Sequence, residues 1–278
     1  MTHPAYPAIL EQIVKFEDPY DDITKHDLLA LGVTTEMIPD LIGTILDDKY
    51  YEDYDSYEGF PHLYAYIALG QLKTPAAIDG LILGVKKWAH TDWFEWFCEE
   101  MPDIFGAIGP VAIPQLIELL QDKSLTFDAR SCALHYLLPI SVAHPEERDR
   151  CVAALVSELE KFDDNDPELN GYIVMYLVAD YKAIEAVPII EAAYAAERVD
   201  PAFIGDWEDV QVQFGLIPAR TTPRPNYLGI DRDRMFGKQA SLLDNYANAA
   251  AKRSENATAK KKAKRKQEKK ARQKNRRK

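Results

Sequence analysis

The chain has little of what builds disulfide, metal or membrane structures. Its 278 residues include three cysteines, Cys98, Cys132 and Cys151, too few and too far apart for a disulfide framework or a cysteine-rich zinc site. No run approaches the roughly 18 apolar residues of a membrane span, and the N-terminus lacks a basic stretch followed by an apolar one. We therefore expect a protein of a reducing compartment, the cytoplasm, without a membrane span.

The common catalytic motifs are missing as well. The chain contains no G-x-G-x-x-G, G-x-x-x-x-G-K-[ST], H-E-x-x-H or G-x-S-x-G. Cys98 and Cys132 fall on or beside apolar helix faces, where a free cysteine is usually a small core residue. The sequence therefore predicts no catalytic residue, no metal site and no cofactor.

Positive charge is scarce in most of the chain and concentrated at its end. Residues 1–217 carry 13 Lys+Arg against 40 Asp+Glu, a net charge of −27, whereas residues 251–278 carry 15 against 2, a net charge of +13. An acidic body repels nucleic-acid phosphates and a basic tail attracts them. Contacts with a polyanion are therefore predicted for the tail, at Lys260, Lys261, Lys262, Lys264, Arg265, Lys266, Lys269, Lys270 and Arg272.

Proline and apolar content divide the chain into four segments. The acidic body covers residues 1–217. Pro218, Pro223 and Pro225 then predict an extended linker over residues 218–237, because proline fixes φ and lacks a donor. A short helix is predicted for residues 238–251. Residues 252–278 cannot bury an apolar face, so this basic tail is predicted to be disordered in isolation.

One apolar pattern recurs along the body. Apolar residues at i, i+3, i+4 and i+7 recur at intervals of 35 to 40 residues, in copies that begin at Ile38, Ile78, Ile113, Val152 and Val187. The next residue is proline in three copies (Pro39, Pro114 and Pro188), and a helix tolerates proline only in its first turn. The three copies that carry the proline are therefore predicted to be helices that share one starting point.

Each copy follows another apolar segment and a turn, which predicts antiparallel helix pairs. Pro139, for example, is predicted to end the first helix of the fourth pair. Neither helix of a pair buries its apolar stripe alone, so the pairs must stack on their neighbours. The predicted fold is all-α, an α-solenoid of about five HEAT-like helical hairpins followed by the linker and the tail.

The pattern resembles HEAT-type repeats, and the chain is similar to a family of uncharacterised bacterial proteins of about this length. The similar stretches are EGFPHLYAYIALG at residues 58–70, PDIFGAIG at 102–109 and GDWEDV at 205–210. The similarity covers about residues 5–216 and implies a fold but no activity. Some members of that family end in a cysteine-rich SEC-C motif. This chain has no cysteine after Cys151, so no zinc function is carried over.

Solenoids hold a protein or peptide on an extended surface, usually lined by the second helix of each pair. The polar residues predicted for that surface are mainly acidic: Asp79, Gln115, Glu118, Glu158 and Glu185. Such a surface favours a basic partner.

Two further segments suit a basic peptide. Tyr54 and Tyr57 lie in an acidic, tyrosine-rich segment, where the alternative is a solvated loop whose tyrosines pack back on the body. Asp206, Trp207 and Glu208 place a tryptophan between carboxylates, which suits a peptide anchor. The alternative is that Trp207 closes the end of the stack.

Glu191 is the one anomaly in the repeat. The last copy has this carboxylate where the other four have isoleucine or valine. A carboxylate in a dry core costs several kcal/mol unless it is paired. Either the position is exposed at the end of the stack, or Glu191 pairs with Lys182 or Arg198.

Three functions stay open at this point. The first is a non-enzymatic interaction scaffold that binds a protein or basic peptide, with its own tail as one ligand of the body. The second is an RNA- or ribosome-associated protein that binds through the tail. The third is a HEAT-like enzyme or bilin lyase-like protein, for which the sequence offers no catalytic constellation.

Overall fold

In a computed structural model that describes residues 27–52 and 61–225, the regular structure of these residues is entirely helical. All of them belong to one compact unit. The α-helices are α1 (Ile38–Ile45), α2 (Lys49–Glu52), α3 (Pro61–Leu72), α4 (Pro75–Trp88), α5 (Phe94–Glu99), α6 (Met101–Ile108), α7 (Ile113–Gln121), α8 (Phe127–Ala143), α9 (Arg148–Leu159), α10 (Pro167–Met175), α11 (Val187–Ala195) and α12 (Trp207–Gln213). The all-α prediction is confirmed for this part of the chain.

The repeated sequence pattern corresponds to a repeated helix start. Helices α1, α7 and α11 begin at Ile38, Ile113 and Val187, so proline is the second residue of each. Proline is tolerated there because an N–H in the first turn has no partner within the helix. A single 3₁₀ turn precedes each of these helices and α9 as well. The shared starting point is confirmed in the three copies that carry the proline.

The apolar stripes of the repeat face the interior. In the first four copies the first, second and fourth positions are all buried, whereas the third position is only half-buried in three of them, at Ile42, Ile117 and Val156. Glu191 occupies this third position in the last copy and is exposed. The carboxylate thus lies where the repeat buries its side chains least, and it keeps its hydration without a buried partner.

The helices that precede the stripes form a more deeply buried layer. All side chains of residues 61–70 in α3 are buried, and so are those of residues 129–141 in α8 except His135. Helices that are apolar all round need neighbours on more than one side. Helices α3, α6, α8 and α10 contact one another in that order, and α1, α4, α7, α9 and α11 do the same beside them.

The predicted helix break at Pro139 is wrong, because α8 continues through this residue to Ala143. Proline in a helix interior removes a backbone hydrogen bond and disfavours the helix locally. Pro139 is buried, however, and packs against Gly106 of α6, where an added Cβ would lie 3.1 Å from the Pro139 Cβ. Tertiary packing around α8 therefore outweighs the local preference of proline for a helix end.

Several predicted segments fall outside the described residues. Tyr54, Tyr57, the predicted short helix of residues 238–251 and the basic tail with Lys260 to Arg272 are among them. Of the predicted linker, residues 218–225 are described. Within the described part of the chain, no single helix is both long and apolar enough to cross a membrane.

Candidate functional site

The start of the predicted linker runs back along α12. Gly215 has a φ of +72°, and the N–H groups of Gly215 and Leu216 donate to the carbonyls of Val212 and Gln211 at 3.0 and 2.9 Å. This is a Schellman ending, in which glycine adopts the left-handed conformation and reverses the chain. Residues 220–224, hereafter the docked segment, consequently reach the first turn of α12.

Three carboxylates at the start of α12 receive this segment. We call Asp206, Glu208 and Asp209 the acidic cluster. Asp206 caps the helix by accepting from the Asp209 N–H at 3.0 Å, and Asp209 accepts in return from the Asp206 N–H at 3.2 Å. This reciprocal capping fixes both side chains. Gly205 makes it sterically feasible, because a Cβ there would lie 2.2 Å from the Asp209 carboxylate.

Arginine side chains of the docked segment contact all three members of the acidic cluster, since Arg220 Nη2 also lies 3.3 Å from Glu208 Oε2. The guanidinium of Arg220 is bidentate on Asp206, with Nη1 to Oδ1 at 2.6 Å and Nη2 to Oδ2 at 2.8 Å. Its Nη1 also lies 2.8 Å from Asp209 Oδ1, and Arg224 Nε donates to the same oxygen at 3.0 Å. The forked guanidinium matches carboxylate geometry, which a lysine ammonium does not. Hydrogen bonds with Asp206 raise the pKa of Arg220 further, so this cation stays charged.

Glu208 binds the backbone and the hydroxyls of the same segment. Its Oε1 accepts from the Thr221 N–H at 2.6 Å and from the Thr221 hydroxyl at 2.5 Å. Its Oε2 accepts from the Thr222 N–H at 3.2 Å and from the Thr222 hydroxyl. These hydrogen bonds, first those from the two threonine side chains, lower the pKa of Glu208 to about 2. One carboxylate thereby binds the N–H groups and the hydroxyls of two consecutive residues, at which the chain bends.

Acid is expected to release the docked segment. The pKa of Glu208 is about 2 when the segment is bound and 4.5 when its carboxylate is free, so the bound form holds fewer protons between these values. Docking is therefore fully stabilised by Glu208 above pH 4.5 and loses this contribution as the pH falls toward 2. The amide NMR shifts of Thr221 and Thr222 should report the transition. In a Glu208→Gln control these shifts should not titrate in that range, and a wild-type midpoint above pH 4.5 would contradict the assignment.

The structure separates the predicted binding residues into different groups. Asp206 and Glu208 hold the docked segment, whereas the Trp207 ring packs beside Tyr194 of α11 with the ring centroids 6.0 Å apart. Asp79 on α4 and Glu118 on α7 are exposed, and neither makes an ion pair with another described residue. Asp209 was not predicted from the sequence, although an acidic residue three positions after Asp206 is the signature of a capping box.

The described part of the tyrosine-rich segment packs inward. Tyr50 is buried, and the Tyr51 ring stacks on Trp88 with the ring centroids 3.9 Å apart. The Tyr51 hydroxyl donates to the Ile45 carbonyl at 2.8 Å. Both tyrosines pack against His62, and burial lowers the pKa of this histidine to about 3, so it is neutral. Tyr50 and Tyr51 therefore belong to the core and not to a peptide-binding surface.

Glu158 was predicted on the binding surface, and this prediction is wrong, because its exposure is 0%. Arg130 Nη2 donates to Glu158 Oε1 at 2.7 Å and to Asn165 Oδ1 at 3.2 Å, while Lys161 Nζ lies 2.7 Å from the other oxygen of Glu158. Arg130 Nε also donates to the Leu120 carbonyl at 2.8 Å. A cation on the neighbouring helix draws the carboxylate inward, and the network ties α8 to α7, α9 and the turn before α10.

Cysteine and histidine side chains that are far apart in sequence form another group. Cys98 on α5 is half-buried, and Cys132 and His135 lie on α8, a helix that α5 contacts. The hydrogen bond with Cys132, followed by that with His135, lowers the pKa of Cys98 to about 6. Burial raises the pKa of Cys132. We call these three residues the thiol cluster.

Only one part of the thiol cluster, the pair on α8, could be recognised from the sequence. Cys132 and His135 are three residues apart and therefore share a helix face, but nothing local connects them to Cys98. Within residues 27–52 and 61–225, no three histidine, cysteine or acidic side chains are arranged to hold a metal ion.

Comparisons of the chain with protein-family models, curated proteins and solved structures found no significant match. The resemblance to the bacterial HEAT-like family therefore stays a prediction, and the function has to be argued from the geometry.

Proposed function

We propose that this chain is a non-enzymatic interaction scaffold that binds a basic peptide at the acidic cluster. One observation carries the proposal: the docked segment, Arg-Thr-Thr-Pro-Arg, already lies on Asp206, Glu208 and Asp209 in the manner of a bound peptide. Its contacts use both arginine side chains and two consecutive backbone N–H groups. A partner segment of the same chemistry would make the same contacts.

The contacts define the class of peptide that the cluster accepts. Two arginines four residues apart provide the guanidinium groups, and two hydroxyl residues between them provide donors to Glu208. The proline between Thr222 and Arg224 fixes its own φ angle and thereby restricts the backbone of the segment. The net charge of −27 over residues 1–217 adds long-range attraction for such a ligand.

The body that presents the cluster is proposed to be an α-solenoid of HEAT-like hairpins. Two rows of helices support this arrangement, since each helix of a row contacts the next one along the chain. The recurrent 3₁₀ turn before α1, α7, α9 and α11 supports a repeated unit. Helix α12 follows the last repeat, so the acidic cluster belongs to the end of the stack.

The docked segment is an internal competitor of the proposed partner. A ligand joined to its site by a short stretch of chain has an effective concentration in the millimolar range. A partner must bind tightly enough to displace the segment, or the segment must dissociate first. The proposal therefore predicts that removal of the arginines of the segment opens the site without changing the site itself.

We expect the full-length double variant Arg220→Ala/Arg224→Ala to bind a labelled peptide of residues 218–226 (PARTTPRPN) about tenfold more tightly than the wild-type chain does. Fluorescence anisotropy at a fixed salt concentration measures this difference. Adding Glu208→Gln to the double variant removes a charged acceptor of four hydrogen bonds, and should return the affinity to about the wild-type value.

A matched control separates the cluster from general electrostatics. The changes Asp79→Asn and Glu118→Gln remove the same kind of charge from the exposed faces of α4 and α7, and should leave the peptide affinity of the double variant unchanged. An equal loss from these changes would locate binding on the helical surface instead. If the double variant does not bind the peptide at all, the proposed function is wrong.

A further inference from the structure

Two threonine hydroxyls of the docked segment take part in its contacts with the acidic cluster. The Thr221 hydroxyl donates to Glu208 Oε1 at 2.5 Å, and the Thr222 hydroxyl donates to Glu208 Oε2. Both threonines are nevertheless exposed at the surface. A chemical change at either hydroxyl would therefore act directly on docking without disturbing the core.

Thr222 also lies beside the main cation of the docked segment. Arg220 Nη2 donates to the Thr222 hydroxyl at 3.3 Å, and Arg220 Nε donates to the Thr222 carbonyl at 3.3 Å. The same guanidinium is bidentate on Asp206. A group of greater negative charge on the Thr222 hydroxyl oxygen would therefore compete with Asp206 for Arg220.

Phosphorylation is the modification that brings such a charge to a threonine. The phosphate ester has a charge of about −1.5 to −2 at pH 7 and presents acceptor oxygens where the hydroxyl presented a donor. At Thr222 it would repel Glu208, whose carboxylate accepts from the hydroxyl. It would also bind the Arg220 guanidinium, because arginine pairs strongly with phosphate. The net charge of −27 over residues 1–217 adds to the repulsion.

We propose that Thr222 is a phosphorylation site and that its phosphate releases the docked segment from the acidic cluster. The inference rests on the proposed function, because the cluster that is opened is the site assigned to a basic partner peptide. A protein kinase would meet Thr222 with an arginine two positions before it and a proline directly after it.

The modification transfers one phosphoryl group. Thr222 Oγ1 attacks the γ-phosphorus of a nucleoside triphosphate held by the kinase, the bond from this phosphorus to the β–γ bridging oxygen breaks, and nucleoside diphosphate leaves. The hydroxyl proton passes to a base of the kinase. Because the hydroxyl is bonded to Glu208 in the docked state, the kinase acts on the dissociated segment, and the phosphate then opposes its return.

The first test measures docking in the full-length chain with phosphothreonine introduced at position 222 during translation. The Thr221 N–H donates to Glu208 at 2.6 Å, so the unmodified chain should protect it from hydrogen exchange. With the phosphate, we expect NMR to show exchange at least about tenfold faster, as in Arg220→Ala/Arg224→Ala.

Two controls accompany this measurement. Phosphatase treatment should restore the protection of the Thr221 N–H. The variant Thr222→Val removes the hydroxyl without adding charge, and should keep most of the protection because both arginines still contact the acidic cluster. A Thr221 N–H that is as protected with the phosphate as without it overturns the proposal.

Peptide binding separates this proposal from the proposed function. The phosphorylated chain should bind the labelled peptide of residues 218–226 about tenfold more tightly than the unmodified chain does. If the double arginine variant gains affinity and the phosphorylated chain does not, the phosphate does not open the cluster and the present proposal is wrong. If neither binds the peptide while Thr221 exchange still rises, release by phosphate is supported and the proposed function fails.

A second measurement identifies the acceptor. The full-length chain, incubated with ATP and a soluble extract of the cells that naturally make it, should gain a phosphate on Thr222, as seen by mass spectrometry of proteolytic peptides. Thr222→Val should abolish this phosphate, Thr221→Val should keep it, and Glu208→Gln should gain it faster because docking is weakened. A wild type that gains no phosphate there, or a gain that survives Thr222→Val, overturns the proposal.

Discussion

Replacing Arg130 with alanine is expected to lower the free energy of unfolding by about 3 kcal/mol, because it leaves a buried carboxylate without its main partner. Glu158 has no exposure, and the Arg130 guanidinium lies 2.7 Å from its Oε1. This loss is at the lower end of the range for breaking a buried ion pair, because Lys161 still lies 2.7 Å from Glu158 Oε2. Chemical denaturation followed by circular dichroism gives the difference.

Two controls define the origin of this effect. Lys161→Ala removes the half-exposed partner of Glu158 and should cost less than about 1 kcal/mol. The double variant Arg130→Met/Glu158→Met removes both buried charges and should recover most of the stability. If Arg130→Ala costs no more than Lys161→Ala, the buried pair does not hold α8 to α9.

Replacing Phe105 with alanine is expected to cost about 3 to 5 kcal/mol. The Phe105 ring of α6 stacks on the Tyr136 ring of α8 with centroids 4.5 Å apart and planes at 11°, and both side chains are fully buried. Truncation removes apolar area and leaves a cavity between α6 and α8, two neighbouring helices of the deeply buried layer. Thermal unfolding and denaturant titration both measure the loss.

Phe105→Leu provides the matched comparison. It keeps most of the apolar volume between α6 and α8 and should cost about 1 kcal/mol. A loss from Phe105→Ala as small as that from Phe105→Leu would mean that the row of buried helices closes around the cavity. Neither variant touches the acidic cluster, so both should keep the docked segment in place.

The docked segment is a basic ligand of the body that the charge distribution did not predict. The sequence shows an acidic body and a basic tail, which suggests that a basic ligand would come from residues 252–278 or from a partner. The basic segment that contacts the acidic cluster is instead the proline-containing stretch directly after α12. Its contacts are made by arginine and threonine, whereas the tail is richest in lysine. Bidentate arginine contacts give the acidic cluster a geometric preference that charge alone does not.

The sequence by itself determined the helical character of the described chain, the position of its apolar stripes and the starting points of α1, α7 and α11. These features depend on residues one to four positions apart, namely the spacing of apolar side chains and the place of proline in the first turn. Asp206 as the cap of α12 also depends on a local interaction, although Asp206 was predicted only as part of a peptide anchor.

Only the tertiary structure decided the burial of Glu158, the continuation of α8 through Pro139, the thiol cluster and the docking of residues 220–224. Arg130 and Glu158 are 28 residues apart, and His135 and Tyr176 are 41 residues apart. Which distant side chain meets a carboxylate, a proline or a thiol depends on how helices pack, and packing can reverse a local preference by several kcal/mol. Periodicity shows which face of a helix is buried, but it does not identify the residue on the other side of the contact.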